Sequence, residues 1–257
     1  MASATGIPEA VPNTTAENQE ASEDEPLLGR RGDASQPEGK GLHYNLFIGT
    51  AVIAQAGIIL LTASVWASVF LSPLIFFSAH PLLNSAGLLL LTQAILVLQP
   101  THTPAQKRQG TITHALINNF ALDALVAGLV IIEINKISHG GIHFESPHAI
   151  LGLITYILLG IQALVGFTAY FTPSIYGSVN TAKSLYKYHR ISGYLVLTLI
   201  LATVAAATQT DYNKTTLDIK LWAVLLSAIL ILIGIIPRIK KQKLGFTGPA
   251  ASSAFGQ

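Results

Sequence analysis

Six apolar runs, each about as long as a membrane is thick, constrain the fold of this chain more than any other feature. They predict helices over residues 44–70, 74–99, 112–135, 147–171, 186–208 and 218–237, joined by short polar connections with proline and glycine. The stretches 104–112 and 180–188 are candidate extensions of the third and fifth helices. A helix of about 20 apolar residues crosses a hydrocarbon core of about 30 Å. Only 11% of the 257 residues are charged, whereas soluble domains have about 25%. The sequence therefore predicts an all-α membrane protein, a bundle of six transmembrane helices.

The two ends of the chain differ from the bundle. Residues 1–43 hold 8 of the 13 acidic residues and no apolar run, which predicts a disordered tail. We expect a single helical domain over residues 44–237 and a short cytosolic tail over 238–257. Within the first tail, EDEPLL at residues 23–28 matches an acidic dileucine sorting signal, although chance in an acidic tail is the alternative. The signal favours an endomembrane, vacuolar or lysosomal location, with the plasma membrane as the other possibility.

The distribution of Lys and Arg predicts the orientation of the bundle. Twelve of these cations fall on the side that holds both termini and three on the other, counted along the predicted helices. Because cytosolic loops carry the excess of positive charge, both termini are expected in the cytosol. The glycosylation sequon at Asn213 then falls in a non-cytosolic loop. That loop is short and close to the membrane, so we expect Asn213 to remain unmodified.

Four histidines lie near the starts of the second to fifth helices: His80, His114, His148 and His189. Consecutive helices of the bundle are antiparallel, so the ends at which they begin alternate. His80 and His148 are therefore expected at one membrane depth, on the non-cytosolic side, and His114 and His189 at the other. Ionisable residues inside a membrane are costly and usually functional, which favours two binding sites over four isolated side chains.

Two facing imidazoles supply the two axial bonds of a haem iron. Zinc usually takes four ligands, and the chain has no cysteine and no acidic residue at these depths. The sequence thus predicts a four-helix core that binds two haems, about 20 Å apart across the bilayer. With no open coordination position, such haems suit one-electron transfer. A haem-free transporter or scaffold is the alternative, whose histidines bind a metal or nothing.

Three glycines lie on the same helix faces as the histidines and are expected to leave room for the porphyrins: Gly87, Gly152 and Gly193. Ordinary packing of small residues between membrane helices is the alternative for each.

Residues 44–237 resemble the cytochrome b561 family. The resemblance rests on FSAHP around His80, the position of His114 at the start of the third helix, SPHAILG around His148 and KYHRISG around His189. It implies two haems b, one held by His80 and His148 and the other by His114 and His189. It also implies an oxidoreductase that moves electrons from cytosolic ascorbate to monodehydroascorbate or a ferric chelate.

The sequence departs from the best-known family members at two motifs. It has AILVLQP at residues 94–100 where those members read like ALLVYR, and SPHAI at 146–150 where they read like SLHSW. These differences are typical of divergent, single-domain relatives. A ferric reductase with two histidines on one helix is disfavoured, because no predicted helix contains two.

Other polar residues are candidates for contact with small-molecule electron donors and acceptors. On the cytosolic side, Lys107, Arg108, Lys183, Lys187 and Arg190 would attract an anionic donor such as ascorbate, although the orientation rule alone accounts for basic loops. On the other side, His139 and His143, with Glu145, would bind ferric iron or its chelate, unless this is simply a solvated loop.

Asp123 is expected near the middle of the membrane, because it follows His114 by nine residues. We expect it to pair inside the bundle with Asn118, Asn119 or Gln162. A structural role and a role in proton transfer or haem potential both remain open. The small net charge of +2 argues against nucleic acid as a partner, whereas membrane lipid is a necessary one and a homodimer is compatible with the sequence.

Overall fold

The computed structural model describes residues 34–240, and in this range the chain is helical, without strands. The helices are α1 (Ala51–Phe70), α2 (Ala79–Leu98), α3 (Pro104–Ser138), α4 (Pro147–Phe171), the short α5 (Val179–Ser184), α6 (Tyr186–Ala207) and α7 (Leu221–Ile235). Six segments are long and apolar enough to cross a membrane, with α5 and α6 forming one of them. The predicted all-α six-helix membrane bundle is confirmed.

Several helix boundaries differ from the predicted ones because of local capping. Helix α3 begins at Pro104 and so includes the candidate extension 104–112, since the Thr103 hydroxyl accepts a hydrogen bond from the Gln106 backbone N–H at 3.2 Å. Helix α1 begins only at Ala51. A separate 3-10 turn, Leu42–Leu46, precedes it. Between the two, Gly49 has a φ of +56°, which interrupts the helical backbone.

The helices associate as three closely packed pairs. Helix α1 lies along α7, α2 along α3, and α4 along α6, whereas α3 and α4 touch at few points. Between α1 and α7 the backbones are in contact, because a Cβ on Gly234 would lie 2.3 Å from the Ala54 nitrogen. Small residues at a crossing allow this close approach. The resulting core includes Ile58, Leu88 and Ile231, all fully buried.

The two ends of the bundle are identified by contacts between helix termini. At one end Arg238, just after α7, donates to the carbonyl oxygens of Asn45 at 3.0 Å and Leu96 at 3.4 Å. This is called the basic end, because it also carries Lys107, Arg108, Lys183 and Lys187. At the opposite end, Ser72 donates to the carbonyl oxygen of Thr216 at 3.1 Å.

The N-terminal segment meets the bundle earlier than the expected boundary at residue 43. Gln36 is buried and its backbone N–H donates to the carbonyl oxygen of Pro100 at 3.0 Å. Its side-chain oxygen accepts from the Asn45 amide at 2.9 Å. Residues 34–43 therefore pack on the basic end, because their polar groups satisfy helix ends there. The EDEPLL segment and the residues after 240 lie outside the described part of the chain.

Asn213 lies at the opposite end with its amide group fully used. The side-chain nitrogen donates to the carbonyl oxygens of Thr208 at 2.9 Å and Ile219 at 3.0 Å, and the residue is buried. A glycan on this nitrogen would break both bonds, which fits the expectation that Asn213 is unmodified.

Candidate haem-binding sites

His80 on α2 and His148 on α4 face each other at the end opposite the basic end. Their ring centroids are 6.2 Å apart and the ring planes are perpendicular. An iron held by two imidazole nitrogens at about 2 Å each separates the ring centroids by roughly 6 Å. The observed spacing thus fits two axial ligands of one haem.

Hydrogen bonds fix which nitrogen of each ring points into the gap. His80 Nδ1 donates to the carbonyl oxygen of Gly128 on α3 at 2.9 Å, and His148 Nδ1 donates to that of Thr203 on α6 at 3.0 Å. A carbonyl only accepts, so Nδ1 carries the proton and Nε2 keeps its lone pair. Haem and metal ligands use this arrangement, because the partner on Nδ1 fixes the ring and raises the basicity of Nε2.

His114 on α3 repeats the pattern towards the basic end. Its Nδ1 donates to the carbonyl oxygen of Ala94 on α2 at 2.8 Å. Its Nε2 accepts from the Asn118 amide at 2.9 Å, which marks this nitrogen as the one with the free lone pair. Iron bound to Nε2 would displace the Asn118 amide, so Asn118 competes with the metal for this nitrogen. Sequence reasoning missed this contact.

His189 on α6 is the fourth ligand candidate and lies within electrostatic range of His114. Its Nδ1 is buried and has no hydrogen-bond partner, unlike the Nδ1 atoms of the other three histidines. The ring borders a cavity of about 310 Å³ between α4 and α6, lined by Ile161, Gln162, Val165, Leu185, Tyr188, His189 and Ser192. An orphaned imidazole beside a cavity of mostly apolar lining fits a macrocycle ligand.

The matching segment of the sequence spans all four histidines: residues 79–217 match the family described as eukaryotic cytochrome b561. The chain belongs to the cytochrome b561 family. Over 131 residues it is 29% identical to the transmembrane ascorbate-dependent reductase CYB561 of Homo sapiens, covering 51% of this chain and 50% of that protein. Over 129 residues it is 28% identical to the ascorbate-specific transmembrane electron transporter 2 of Zea mays, covering 50% of this chain and 53% of that protein.

This member of the cytochrome b561 family thus spans about half the length of the curated relatives that it matches. The family model covers the segment from α2 to the turn after α6. This segment includes the four helices that carry the histidines, α2, α3, α4 and α6. The family implies haem b as a cofactor; the four histidines have the donor atoms that this group needs, and His80 and His148 also have the spacing.

The glycines predicted to make room for the porphyrins divide into two classes. A Cβ on Gly193 would meet nothing within 4 Å, and on Gly152 only the Thr203 methyl at 3.8 Å, so both leave open space. Gly87 was predicted wrongly, because a Cβ there would lie 2.6 Å from Leu125 Cγ. It serves the close packing of α2 on α3. Gly166, which sequence reasoning missed, faces His189, whose Cε1 would be 2.9 Å from an added Cβ.

A second feature that sequence reasoning missed is a polar clamp beside His80, formed by Asn84 and Tyr156. The Asn84 amide donates to the carbonyl oxygen of His80 at 2.8 Å. The Tyr156 hydroxyl lies 2.7 Å from Asn84 Oδ1 and 2.9 Å from the Leu125 carbonyl oxygen, so it joins α4 to α2 and α3. Asn84 follows His80 by one helical turn, and this spacing is the only sequence signal for the clamp.

The predicted substrate residues lie at both ends of the bundle. At the basic end Lys107, Arg108, Lys183 and Lys187 are exposed and Arg190 is half-buried beside His189. At the opposite end His143 Nδ1 lies 3.2 Å from Glu133 Oε2, and His139 Nδ1 donates to its own helix at Asn135. His139 and His143 thus have separate partners, and the described residues contain no cluster of three or more metal-ligating side chains.

Asp123 pairs with Asn119, one of its three expected partners, but on the outer face of α3 and not inside the bundle. Its Oδ2 accepts from the Asn119 amide at 3.1 Å, and both side chains are exposed. Asn118 contacts His114 instead, and Gln162 donates to the Ser192 hydroxyl. The reason is helix geometry, because nine residues at about 100° each place Asp123 opposite His114 on α3.

Proposed function

We propose that this protein carries electrons across a membrane through two haems b. His80 and His148 would hold the haem distant from the basic end, and His114 and His189 the haem near it. When bound, each haem supplies a one-electron iron couple with both axial positions filled. The protein would then act as a transmembrane oxidoreductase, a role also supported by the names of its relatives.

The observation that carries this proposal is the pairing of His80 and His148 from two different helices. Their rings are 6.2 Å apart, and each ring is oriented by a backbone carbonyl of a third helix. A solitary buried histidine needs no such counterpart. The helices around the pair are apolar, which would lower the local dielectric constant and help to set the haem potential.

The basic end is proposed to face the cytosol and to receive the reductant. Its exposed cations, Lys107, Arg108, Lys183 and Lys187, would attract an anionic, ascorbate-like donor, with Arg190 next to the ligand His189. The acceptor, monodehydroascorbate or a ferric chelate, would be reduced at the opposite end, near His139 and His143. A homodimer is part of the proposal, as is an endomembrane location directed by EDEPLL.

Haem stoichiometry tests the core of the proposal. The purified protein is expected to contain two haems b per chain by pyridine haemochrome assay, with a sharp α-band in the reduced-minus-oxidised spectrum. His80→Ala and His148→Ala should each lose the same haem, and His114→Ala and His189→Ala the other. The potential of the remaining haem would identify which of the two sites each variant keeps. Wild-type protein without a b-type spectrum would overturn the proposal.

The donor is tested by stopped-flow reduction of the oxidised protein with ascorbate. The double variant Lys183→Gln/Lys187→Gln is compared with a control variant, Lys136→Gln, at the opposite end. Reduction is expected to slow at low ionic strength only in the first variant, because electrostatic steering depends on the charge near the entry point. Equal rates in both variants would remove the role proposed for these cations.

Localisation is tested by imaging the full chain with Leu27→Ala and Leu28→Ala. A shift from endomembranes to the cell surface is expected, and an unchanged distribution would rule out the sorting signal.

A further inference from the structure

The hydrogen bonds of the histidines define two levels in the bundle. On α2, His80 lies fourteen residues before Ala94, whose carbonyl oxygen orients His114. On α3, His114 lies fourteen residues before Gly128, whose carbonyl oxygen orients His80. Because the helix rises about 1.5 Å per residue, the two levels are about 21 Å apart along both helices. An electron that crosses the bundle has to cross this interval.

Tyr156 lies inside the interval between the two levels. It follows His148 by eight residues on α4, which places its Cα about 12 Å from His148 towards the basic end. Side chains on a helix lean towards its N-terminus, so the ring extends from that depth back towards His148. The hydroxyl oxygen is 2.7 Å from Asn84 Oδ1, one turn from His80, and 2.9 Å from the Leu125 carbonyl oxygen. The ring therefore occupies the part of the interval next to the level of His80.

The Tyr156 ring also crosses the open part of the bundle. Helices α3 and α4 touch at few points, and the Tyr156 side chain reaches from α4 to both α2 and α3. On the four helices that carry the histidines, no other described aromatic side chain fills this position. Between the two levels α2 has no aromatic residue, and Phe120 of α3 is 65% exposed. Tyr194 of α6 accepts from Gln99 at the C-terminal end of α2 and so lies by the basic end.

We propose that the Tyr156 ring is the bridge for electron transfer between the two haem sites. The inference rests on the proposed function, because it needs a haem at each level. Electron tunnelling weakens with distance, and it weakens more steeply across unfilled space than through packed, bonded atoms. The ring has two side-chain torsions, and the hydrogen bond at its outer end restrains both. That bond also ties the ring to the ligand, since Asn84 donates to the carbonyl oxygen of His80 at 2.8 Å.

The transfer leaves Tyr156 chemically unchanged. One iron loses the electron and the other gains it, and no proton has to move. The groups beside the hydroxyl, the Asn84 amide oxygen and the Leu125 carbonyl oxygen, only accept hydrogen bonds, so the phenol keeps its proton. The hydroxyl thus fixes the position of the ring, and the ring supplies the electronic coupling.

Flash-induced electron transfer between the two haems tests the bridge. The chain has no cysteine, so Gln109→Cys, at an exposed position near the start of α3, carries a single photoactive ruthenium label at the basic end. A flash then delivers an electron to the site of His114 and His189. Its arrival at the site of His80 and His148 is followed by absorption, with His80→Ala and His114→Ala proteins as single-haem reference spectra.

Substitutions of Tyr156 in the labelled protein separate the ring from the hydroxyl. Tyr156→Leu and Tyr156→Met remove the ring, and the transfer rate should fall several-fold in both. Tyr156→Phe removes only the hydroxyl and should stay close to the wild-type rate. Phe120→Leu is the matched control with an unchanged rate, because it removes a ring from the same interval on the exposed face of α3. Titration of both potentials in each variant separates a change in driving force from a change in coupling.

Thermal unfolding of the haem-free proteins gives a readout that does not depend on electron transfer. Tyr156→Phe should lower the melting temperature, because the hydroxyl ties α4 to α2 and α3, and Phe120→Leu should lower it less. A melting temperature unchanged in Tyr156→Phe would show that the hydroxyl does not hold the ring, and would overturn its placement as the bridge.

The remaining outcomes distinguish the bridge from the proposed function. Two haems with wild-type transfer rates in Tyr156→Leu and Tyr156→Met, or an equal fall in Phe120→Leu, would defeat the bridge alone. Loss of haem from both ring-free variants, with two haems kept in Tyr156→Phe, would assign the ring to packing and also defeat the bridge. Wild type without haem would defeat the proposed electron transfer and the bridge with it.

Discussion

Gly128→Ala is expected to disable one haem site and to leave the other intact. The Gly128 carbonyl oxygen orients the His80 ring at 2.9 Å, and the Cα of the same residue lies against the Asn84 side chain. An added Cβ would be 2.4 Å from Asn84 Nδ2 and 3.5 Å from Leu83 Cβ. Since ordinary carbon contacts lie near 3.5–4.0 Å, the Asn84 amide must retreat by about an ångström or α2 must separate from α3.

The energetic cost follows from the bonds that this retreat breaks. Asn84 donates to the His80 carbonyl oxygen at 2.8 Å and accepts from the Tyr156 hydroxyl at 2.7 Å. Two such bonds contribute about 1–3 kcal/mol in total, and overpacking typically costs about 1–3 kcal/mol. Since the two costs partly overlap, we expect a loss of about 2–4 kcal/mol, concentrated at the site of His80 and His148.

The assay combines haem stoichiometry with potentiometric titration of Gly128→Ala. One haem per chain is expected in place of two, and the remaining potential should match that of the haem near the basic end. Gly160→Ala is the matched control, because Gly160 is exposed on α4 and a Cβ there would meet nothing within 4 Å. Adding Asn84→Ala to Gly128→Ala removes the obstructing amide and should recover haem binding in part.

Two results would refute the reasoning. If Gly128→Ala held two haems with wild-type potentials, the contact with Asn84 would not support the His80 site. If Gly128→Ala failed to fold and the double variant with Asn84→Ala failed equally, the close contact with the Asn84 amide would not be the cause of the defect. Thermal unfolding followed by tryptophan fluorescence distinguishes a folded, haem-depleted protein from an unfolded one.

Three further substitutions have defined outcomes. Asn118→Ala should strengthen haem binding at the site near the basic end only, measured by titration of the haem-free protein with haem, because the Asn118 amide occupies His114 Nε2 and has to leave before iron binds there. Asn213→Gln should lower the melting temperature, since the longer side chain cannot keep both carbonyl bonds; each lost bond costs about 0.5–1.5 kcal/mol. An endoglycosidase should leave the mass of wild type unchanged. Arg238→Met should destabilise the basic end in thermal unfolding and leave haem content at two per chain, because its guanidinium binds the carbonyl of Leu96 and no histidine.

The sequence was sufficient for the number of helices and for the opposition of His80 and His148. Both follow from the lengths of the apolar runs and from antiparallel order, which are local or topological properties. Helix boundaries were less accurate: the Thr103 cap extends α3 into a segment rich in polar residues, where hydropathy gives no signal. The outward direction of Asp123 follows from residue spacing alone, and the expectation of a partner inside the bundle neglected it.

The contacts between helices could not be predicted in the same way. Gly87 and Gly128 both occur in apolar helices, yet Gly87 packs against Leu125 whereas Gly128 presents its carbonyl to His80. The difference depends on the rotation of α2 against α3, which one sequence without a partner surface does not specify. For the same reason, the Tyr156 clamp was invisible, because its two hydrogen bonds join residues 72 and 31 positions apart.

The backbone carbonyls that orient His80, His114 and His148 would make the proposed haem sites depend on helix packing more than on polar side chains. Each acceptor belongs to a neighbouring helix: Gly128 on α3, Ala94 on α2 and Thr203 on α6. A carbonyl inside a helix reaches an imidazole only when the two helices are close, which requires small residues at the crossing. Because α2 and α3 exchange such bonds in both directions, one at each haem site, a change in their separation would move both ligands together. The small residues between these helices would therefore help to position the histidines of the proposed redox centre.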